Sequence, residues 1–355
     1  MAGLAVMGRS NAWTSEVDWH TGRWQARTAS APHHSWAPPP PRGLLPKRPL
    51  TFIEALDSGF RLLRFAPGLS IGSSLIVFTL WSLLLTAIGT FVAVQFLPFL
   101  YDLSGNDEAL SGFLALAQLG SAALSLLSLG LAHLLSGLIA TGTRASFGAR
   151  RTTLSEAWKA LAGRRLRLVS ATVLMSAINL GLLLALAAPT ALFALIDSPV
   201  LAFVWAGIAV LLWLLALLWI NLRLSFLGAS IVVEDLNVRA GIRRSWALTS
   251  RGYWRLLGQL ALGYFLSNQL VQLVISPLVF VISIAVGLGF ATTEGNDTAQ
   301  LVLGVVAGGL LLALTLISSA VLFAYFSCLV TVCYFDQQMR TEGLDLILIR
   351  SEEER

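Results

Sequence analysis

Apolar residues run through this chain in long unbroken blocks, separated by shorter polar stretches. Blocks at about 69–97, 112–140, 168–196, 200–222, 256–290 and 301–334 each exceed the roughly 18 to 20 residues needed to cross a hydrocarbon core. Each predicts a membrane-spanning helix. Solid Leu/Ala/Val blocks, rather than short alternating ones, exclude a β-barrel. A second pattern recurs between the blocks. In the stretch Ile231 to Leu257, residues Val238, Ile242, Trp246 and Thr249 stand at i, i+4, i+8 and i+11, one apolar stripe on a helix that Asn237 is placed to cap. Arg239 and Arg243 fall beside the stripe. A basic amphipathic helix between spans is expected to lie in the bilayer interface, arginines toward anionic headgroups. Residues 52–65 form a similar element, with Phe52, Leu56, Phe60 and Leu63 on one face and a break at Pro67-Gly68. Leu154 to Leu161 is the third.

Each such element precedes a pair of spans. The predicted architecture is therefore an all-α integral membrane fold: six transmembrane helices in three hairpins, each hairpin preceded by a cytosolic interfacial amphipathic helix. The units begin near Phe52, Leu154 and Val238, and Glu54-Ala55 matches Glu156-Ala157 in the first two. All three hairpins enter from one side, so the repeat is parallel rather than inverted. Pro98 is expected to end the first span, Asp197, Ser198 and Pro199 to form a tight turn, and Pro277 to kink the fifth span. Residues 1–50 lack an apolar period and read as a disordered cytosolic arm, with a membrane domain over 51–340 and a polar cytosolic tail over 341–355.

Composition adds little to this picture, but charge orients it. The mean hydropathy is +0.76 and only 12% of residues are charged, which excludes a soluble domain. Lys and Arg lie ahead of the first span, in the two long basic loops and in the tail, whereas the loops near Asp107, Asp197 and Asp297 have none. By the positive-inside rule both termini and both basic loops are cytosolic, which agrees with an even number of spans in the cytoplasmic membrane. The net charge of +5 thus needs no nucleic-acid partner. Cys328 and Cys333, both near the end of the last span, read as buried structural thiols.

Two segments carry a family resemblance. EDLNVRAGIRRSWALTSRGYWRLLG (234–258) and the closing YFDQQMRTEGLDLIL resemble the membrane domain of bacterial glycerophosphoryl diester phosphodiesterases, with Gln338 where an arginine is common. The resemblance spans about Phe52 to Ile349. It implies a bacterial, actinobacterial-type membrane protein that carries this membrane domain without the catalytic one.

Candidate chemistry is correspondingly sparse. Phosphodiester hydrolysis needs paired carboxylates for a metal and histidines for acid–base work. Here His20, His33 and His34 lie in the arm and His133 within the second span, while the acidic residues are scattered among opposite loops. No enzymatic activity, cofactor or metal is expected. The expected role is a membrane scaffold or accessory protein that engages anionic lipids, a membrane-protein partner or a second copy of itself. In that role Arg239, Arg243, Arg244, Arg251 and Arg255 hold headgroup phosphates, and Trp246 and Trp254 anchor at the interface. The alternative is a permease for a lipid or other amphiphile, with Asn268, Gln269 and Gln272 lining a polar path; hydrolysis is a distant third. Asn179, Asn221 and His133 read as interhelical hydrogen-bonding groups, and the small-residue ridges Ala132/Ser136/Ala140 and Gly304/Gly308 as sites of close helix approach within the chain.

Overall fold

Thr51 caps the first described helix of the chain. Its hydroxyl accepts from the Glu54 amide while the Glu54 carboxylate accepts from the Thr51 amide, a reciprocal cap that launches α1, Phe52–Phe65. Arg48 also grips Glu54, and together these bonds hold its carboxyl down at about 2. In this computed structural model the described residues are 43–103, 120, 123, 126–196, 198–293 and 295–353, all in one unit, Arg42–Arg355. Residues 1–42 of the N-terminal arm with its three histidines, the acidic loop at Asp107 and Glu108, the start of the second span and Asp197 lie outside them. The end of the arm does not. Contrary to the expectation of disorder over 1–50 it packs on the bundle, with Leu45 and Leu50 buried in the core and the Leu44 amide donating to the Ser146 carbonyl at 2.9 Å.

The described residues form only helices and connecting segments. After α1 come α2 (Pro67–Leu103), α3 (Leu131–Ser146), α4 (Leu154–Ala160), α5 (Arg165–Leu195) and α6 (Pro199–Arg223). Then follow α7 (Leu227–Val233), α8 (Val238–Ser250), α9 (Tyr253–Thr292), α10 (Asp297–Glu342) and α11 (Leu344–Glu353). Six helical stretches are long and apolar enough to cross a membrane: Pro67–Phe91, Leu126–Ser146, Arg165–Phe193, Val200–Val233, Tyr253–Thr292 and Thr298–Glu342. This is the architecture of a multi-pass membrane protein. The second span is the central one, with 67% of its most apolar stretch buried, against 22% or less for the other five. Those five turn large apolar side chains outward, as in Phe91, Phe203, Leu273 and Val305.

The main core gathers at one end of the bundle. There α1 lies on α10, with Phe60 stacked on Tyr325 at 4.1 Å and the Tyr325 hydroxyl donating to the Leu56 carbonyl at 3.3 Å. The buried face of α1 includes Ala55, Ser58, Gly59 and Leu62 besides Leu56, wider than the predicted stripe. Thr153 and Glu156 repeat the reciprocal cap at α4, and Asn237 caps α8 as expected, accepting from the Ala240 amide at 2.8 Å.

Two expectations change. Pro98 does not end the first span: α2 runs on to Leu103, giving up only the one hydrogen bond that proline cannot donate. Pro277 lies inside α9, which continues as helix on both sides of it. The predicted polar tail is largely structure: α10 extends to Glu342, burying Asp336, Gln337 and Gln338, and Leu344 and Leu348 of α11 pack on the core.

The close approach of helices also occurs elsewhere than at the GxxxG. Nothing lies within 4 Å of a Cβ built on Gly308, and Gly304 meets only Phe290, at 3.8 Å. The tight crossing is α7 on α3, where a Cβ on Gly228 would sit 2.0 Å from the His133 carbonyl oxygen and 2.7 Å from Ser136 Oγ. Gly228→Ala should therefore destabilise the protein by about 1–3 kcal/mol, as overpacking does. Gly308→Ala should be neutral or stabilising by up to about 1 kcal/mol, since alanine is the better helix former. Denaturation midpoints of the two variants in detergent check the pair.

Candidate functional site

The basic segment of residues 231–257 is built on a break in the fourth span. Helix α6 stops at Arg223 and α7 starts at Leu227, leaving the Arg223 carbonyl and Phe226 amide outside the helical ladder. Ser245 of α8 closes both: its hydroxyl donates to the Arg223 carbonyl at 2.8 Å and accepts from the Phe226 amide at 3.2 Å. Thr249, one turn on, donates to the same carbonyl at 3.4 Å. Gly241, Ser245, Leu248 and Thr249 are thus the buried face of α8, with Val238 and Ile242 only partly buried at its edge. Trp246, expected on the apolar stripe, is 39% exposed and packs edge-on against Trp219.

The five arginines of this segment divide into two groups. Arg244 points inward. It donates to Glu234 at 2.8 Å and makes a two-pronged pair with Glu342 at the end of α10. Glu234 also accepts from the Tyr334 hydroxyl at 2.6 Å and from Gln338 at 2.8 Å. The hydrogen bonds to Glu342, and then to Glu234, raise the Arg244 guanidinium above its ordinary range, so it stays charged at any relevant pH. Arg255 points inward too. Its guanidinium donates to the Leu50 carbonyl at 2.5 Å and lies 3.8 Å from Asp336, whose carboxylate is 3% exposed. Asp336 accepts from the Leu50 amide at 2.7 Å, and Arg340 joins both Asp336 and the Leu50 carbonyl. Together these hold the segment entering α1. By contrast Arg239, Arg243 and Arg251 are exposed and pair with no described carboxylate. Trp254, at 79%, is exposed beside them in sequence.

Sequence reasoning missed the partners that hold this segment from behind. Arg164 and Arg167, of the other basic loop, both donate to Asp235, at 2.8 and 2.9 Å, and cap the Val232, Asp235 and Leu236 carbonyls after α7. The hydrogen bond from Arg164 lowers the Asp235 carboxyl from its ordinary value. The signal was present as paired arginines and an Asp in two loops assigned to one side, but one sequence does not say which pairs form.

Asn268, Gln269 and Gln272 lie along α9. Asn268 is half-buried and the two glutamines are exposed. A cavity of about 370 Å³ lies between the second span, α6, α9 and α10. Its wall is almost wholly apolar, and its polar groups are His133, Asn221, Ser225 and Tyr264. Asn221 donates to Asn179 at 2.9 Å, the interhelical bond expected of the two asparagines. His133 Nδ1 and Ser225 Oγ are buried without a hydrogen-bond partner among the described residues. No family model, curated protein or solved structure matches this chain. The family resemblance accordingly stands on the two quoted segments. Seen in the fold, those segments are one unit, because Glu234 and Arg244 of the first bond to Tyr334, Gln338 and Glu342 of the second. Among the described residues no cluster of His, Cys, Asp or Glu is arranged to hold a metal.

Removing the Ser245 hydroxyl strands a buried amide and weakens the hold on a buried carbonyl. Ser245→Ala should destabilise by about 1–3 kcal/mol. Arg244→Met should likewise lose about 2 kcal/mol through its charged hydrogen bonds, whereas Arg243→Met should change stability by less than about 0.5 kcal/mol. Chemical denaturation in detergent, read by circular dichroism, separates the three.

Proposed function

We propose that this protein is a non-enzymatic scaffold or accessory protein of the cytoplasmic membrane that holds anionic lipid headgroups against its cytosolic face. In this reading it is a relative of the phosphodiesterase membrane domain, with both ends of the bundle's sequence on the cytosolic side. The observation that carries the proposal is the division of the arginines. Within one segment Arg244 and Arg255 are committed to internal acceptors, while Arg239, Arg243 and Arg251 are left exposed and unpaired among the described residues. Trp254 stands exposed in the same segment, an indole suited to the headgroup level. An arginine near an anionic bilayer surface contributes about 1 kcal/mol of attraction. Three on one short stretch favour local enrichment of anionic lipid, and the side chains that serve this are the three free ones, not all five.

The test compares lipid enrichment around the protein in nanodiscs of mixed phosphatidylcholine and phosphatidylglycerol. Replacing Arg239, Arg243 and Arg251 together with Gln should cut phosphatidylglycerol enrichment several-fold, and added salt should weaken it in the wild type. Enrichment that is unchanged in the triple variant would sink the assignment.

A further inference from the structure

The cavity between α6 and α9 has the makings of a lipid site of its own. Its floor is closed by buried side chains such as Leu222 and Leu260, and its rim carries Leu218 and Tyr264, 48% and 46% exposed. It therefore opens sideways between two spans, toward the surroundings that in a membrane are hydrocarbon. A volume of 370 Å³ falls in the range of small-molecule sites, about 300–1,000 Å³. The lining suits an alkyl chain, yet two of its polar groups are not spent on the protein. His133 Nδ1 and Ser225 Oγ, both on lining residues, are buried without partners among the described residues.

Arg223 lies next to this cavity in sequence, between the lining residues Leu222 and Ser225. Its guanidinium carbon sits 5.1 Å from the centroid of the Trp246 ring and 5.0 Å from that of Tyr253. Tyr253 begins α9, whose next turn supplies the lining residue Leu257. Aromatic rings stabilise the charge of a guanidinium through its face, but they leave its N–H edge without acceptors. Here Nε and Nη1 are buried with no partner, and no described carboxylate pairs with Arg223. A half-buried cation whose Nε and Nη1 lack acceptors, flanked in sequence by residues that line an apolar cleft, calls for an anion on an alkyl chain.

We infer that this cleft holds one acyl chain of an anionic phospholipid, with the phosphate drawn to Arg223 and the ester region to Ser225. The inference rests on the proposed lipid-holding role and gives it a specific, single-lipid site distinct from the exposed arginines. It also assigns work to groups that packing alone leaves unsatisfied. The bound lipid supplies acceptors for Arg223 and fills the space that α6 and α9 leave between them.

The experiment is native mass spectrometry of the full-length protein released from nanodiscs of phosphatidylcholine and phosphatidylglycerol. The wild type should retain one phosphatidylglycerol at collision energies that strip the rest. Ala261→Phe, which fills the cleft from α9, should abolish that retained lipid, as should Ala132→Phe from the second span. Arg223→Gln should keep a retained lipid but lose the preference for phosphatidylglycerol at least several-fold. In both cleft variants the overall phosphatidylglycerol enrichment governed by Arg239, Arg243 and Arg251 should persist. A lipid still retained in a cleft variant that unfolds at the wild-type temperature would overturn the inference. So would a retained lipid whose headgroup preference ignores Arg223, or a wild type that retains none. Loss of bulk enrichment with the single lipid still held would instead count against the proposed function and leave the cleft assignment standing.

Discussion

A backbone carbonyl or amide cannot be left bare next to hydrocarbon, and the way this protein meets that constraint arranges the rest of its basic end. The fourth span breaks after Arg223, and one hydroxyl, that of Ser245, serves both sides of the break. For Ser245 to reach, α8 must lie across the junction with Gly241, Ser245, Leu248 and Thr249 inward. That rotation decides which arginines face the protein and which do not. Arg244 is turned toward Glu234 and Glu342, and Arg239 and Arg243 away. The short buried helix α7 that follows the break can then press Gly228 against the second span.

The same end of the bundle joins distant parts of the chain through charge. Asp336 and Arg340 near the end of α10, with Arg255 at the start of α9, grasp the Leu50 peptide ahead of α1. Arg164 and Arg167 hold the turn after α7. The half-buried Arg244–Glu234 pair, whose carboxylate also accepts from Tyr334 and Gln338, sets register more than it adds stability, because removing charge from water offsets much of the attraction. In this account the basic loops have two duties: some arginines tie the helices together, and the remainder meet the lipid.

Much of the fold was legible because the physics behind it is coarse. A run of about 20 apolar residues signals a span whatever its neighbours, and six such runs became six long apolar helices. Caps were legible where one residue type does the work, as at Asn237. What could not be read depends on faces and partners. Val238, Ile242, Trp246 and Thr249 made a plausible stripe, and Thr249 is indeed buried; but Ser245 is buried and Trp246 exposed, because the broken helix needs a donor and an acceptor there. Gly304 and Gly308 looked like a packing motif, whereas Gly228, in a segment too short to show a period, is among the glycines that do pack tightly. Asn268, Gln269 and Gln272 formed a polar patch in sequence, while the cavity took single polar residues from separate helices, His133, Asn221, Ser225 and Tyr264.

The central claim is that the exposed arginines of this face are stabilised by anionic headgroups. The most direct measurement is the thermal unfolding midpoint in nanodiscs as the phosphatidylglycerol fraction rises at fixed ionic strength. The account predicts a midpoint that climbs with that fraction, because a ligand that binds only the folded state stabilises it. The climb should flatten at high salt. A midpoint indifferent to headgroup charge at low salt would contradict the account.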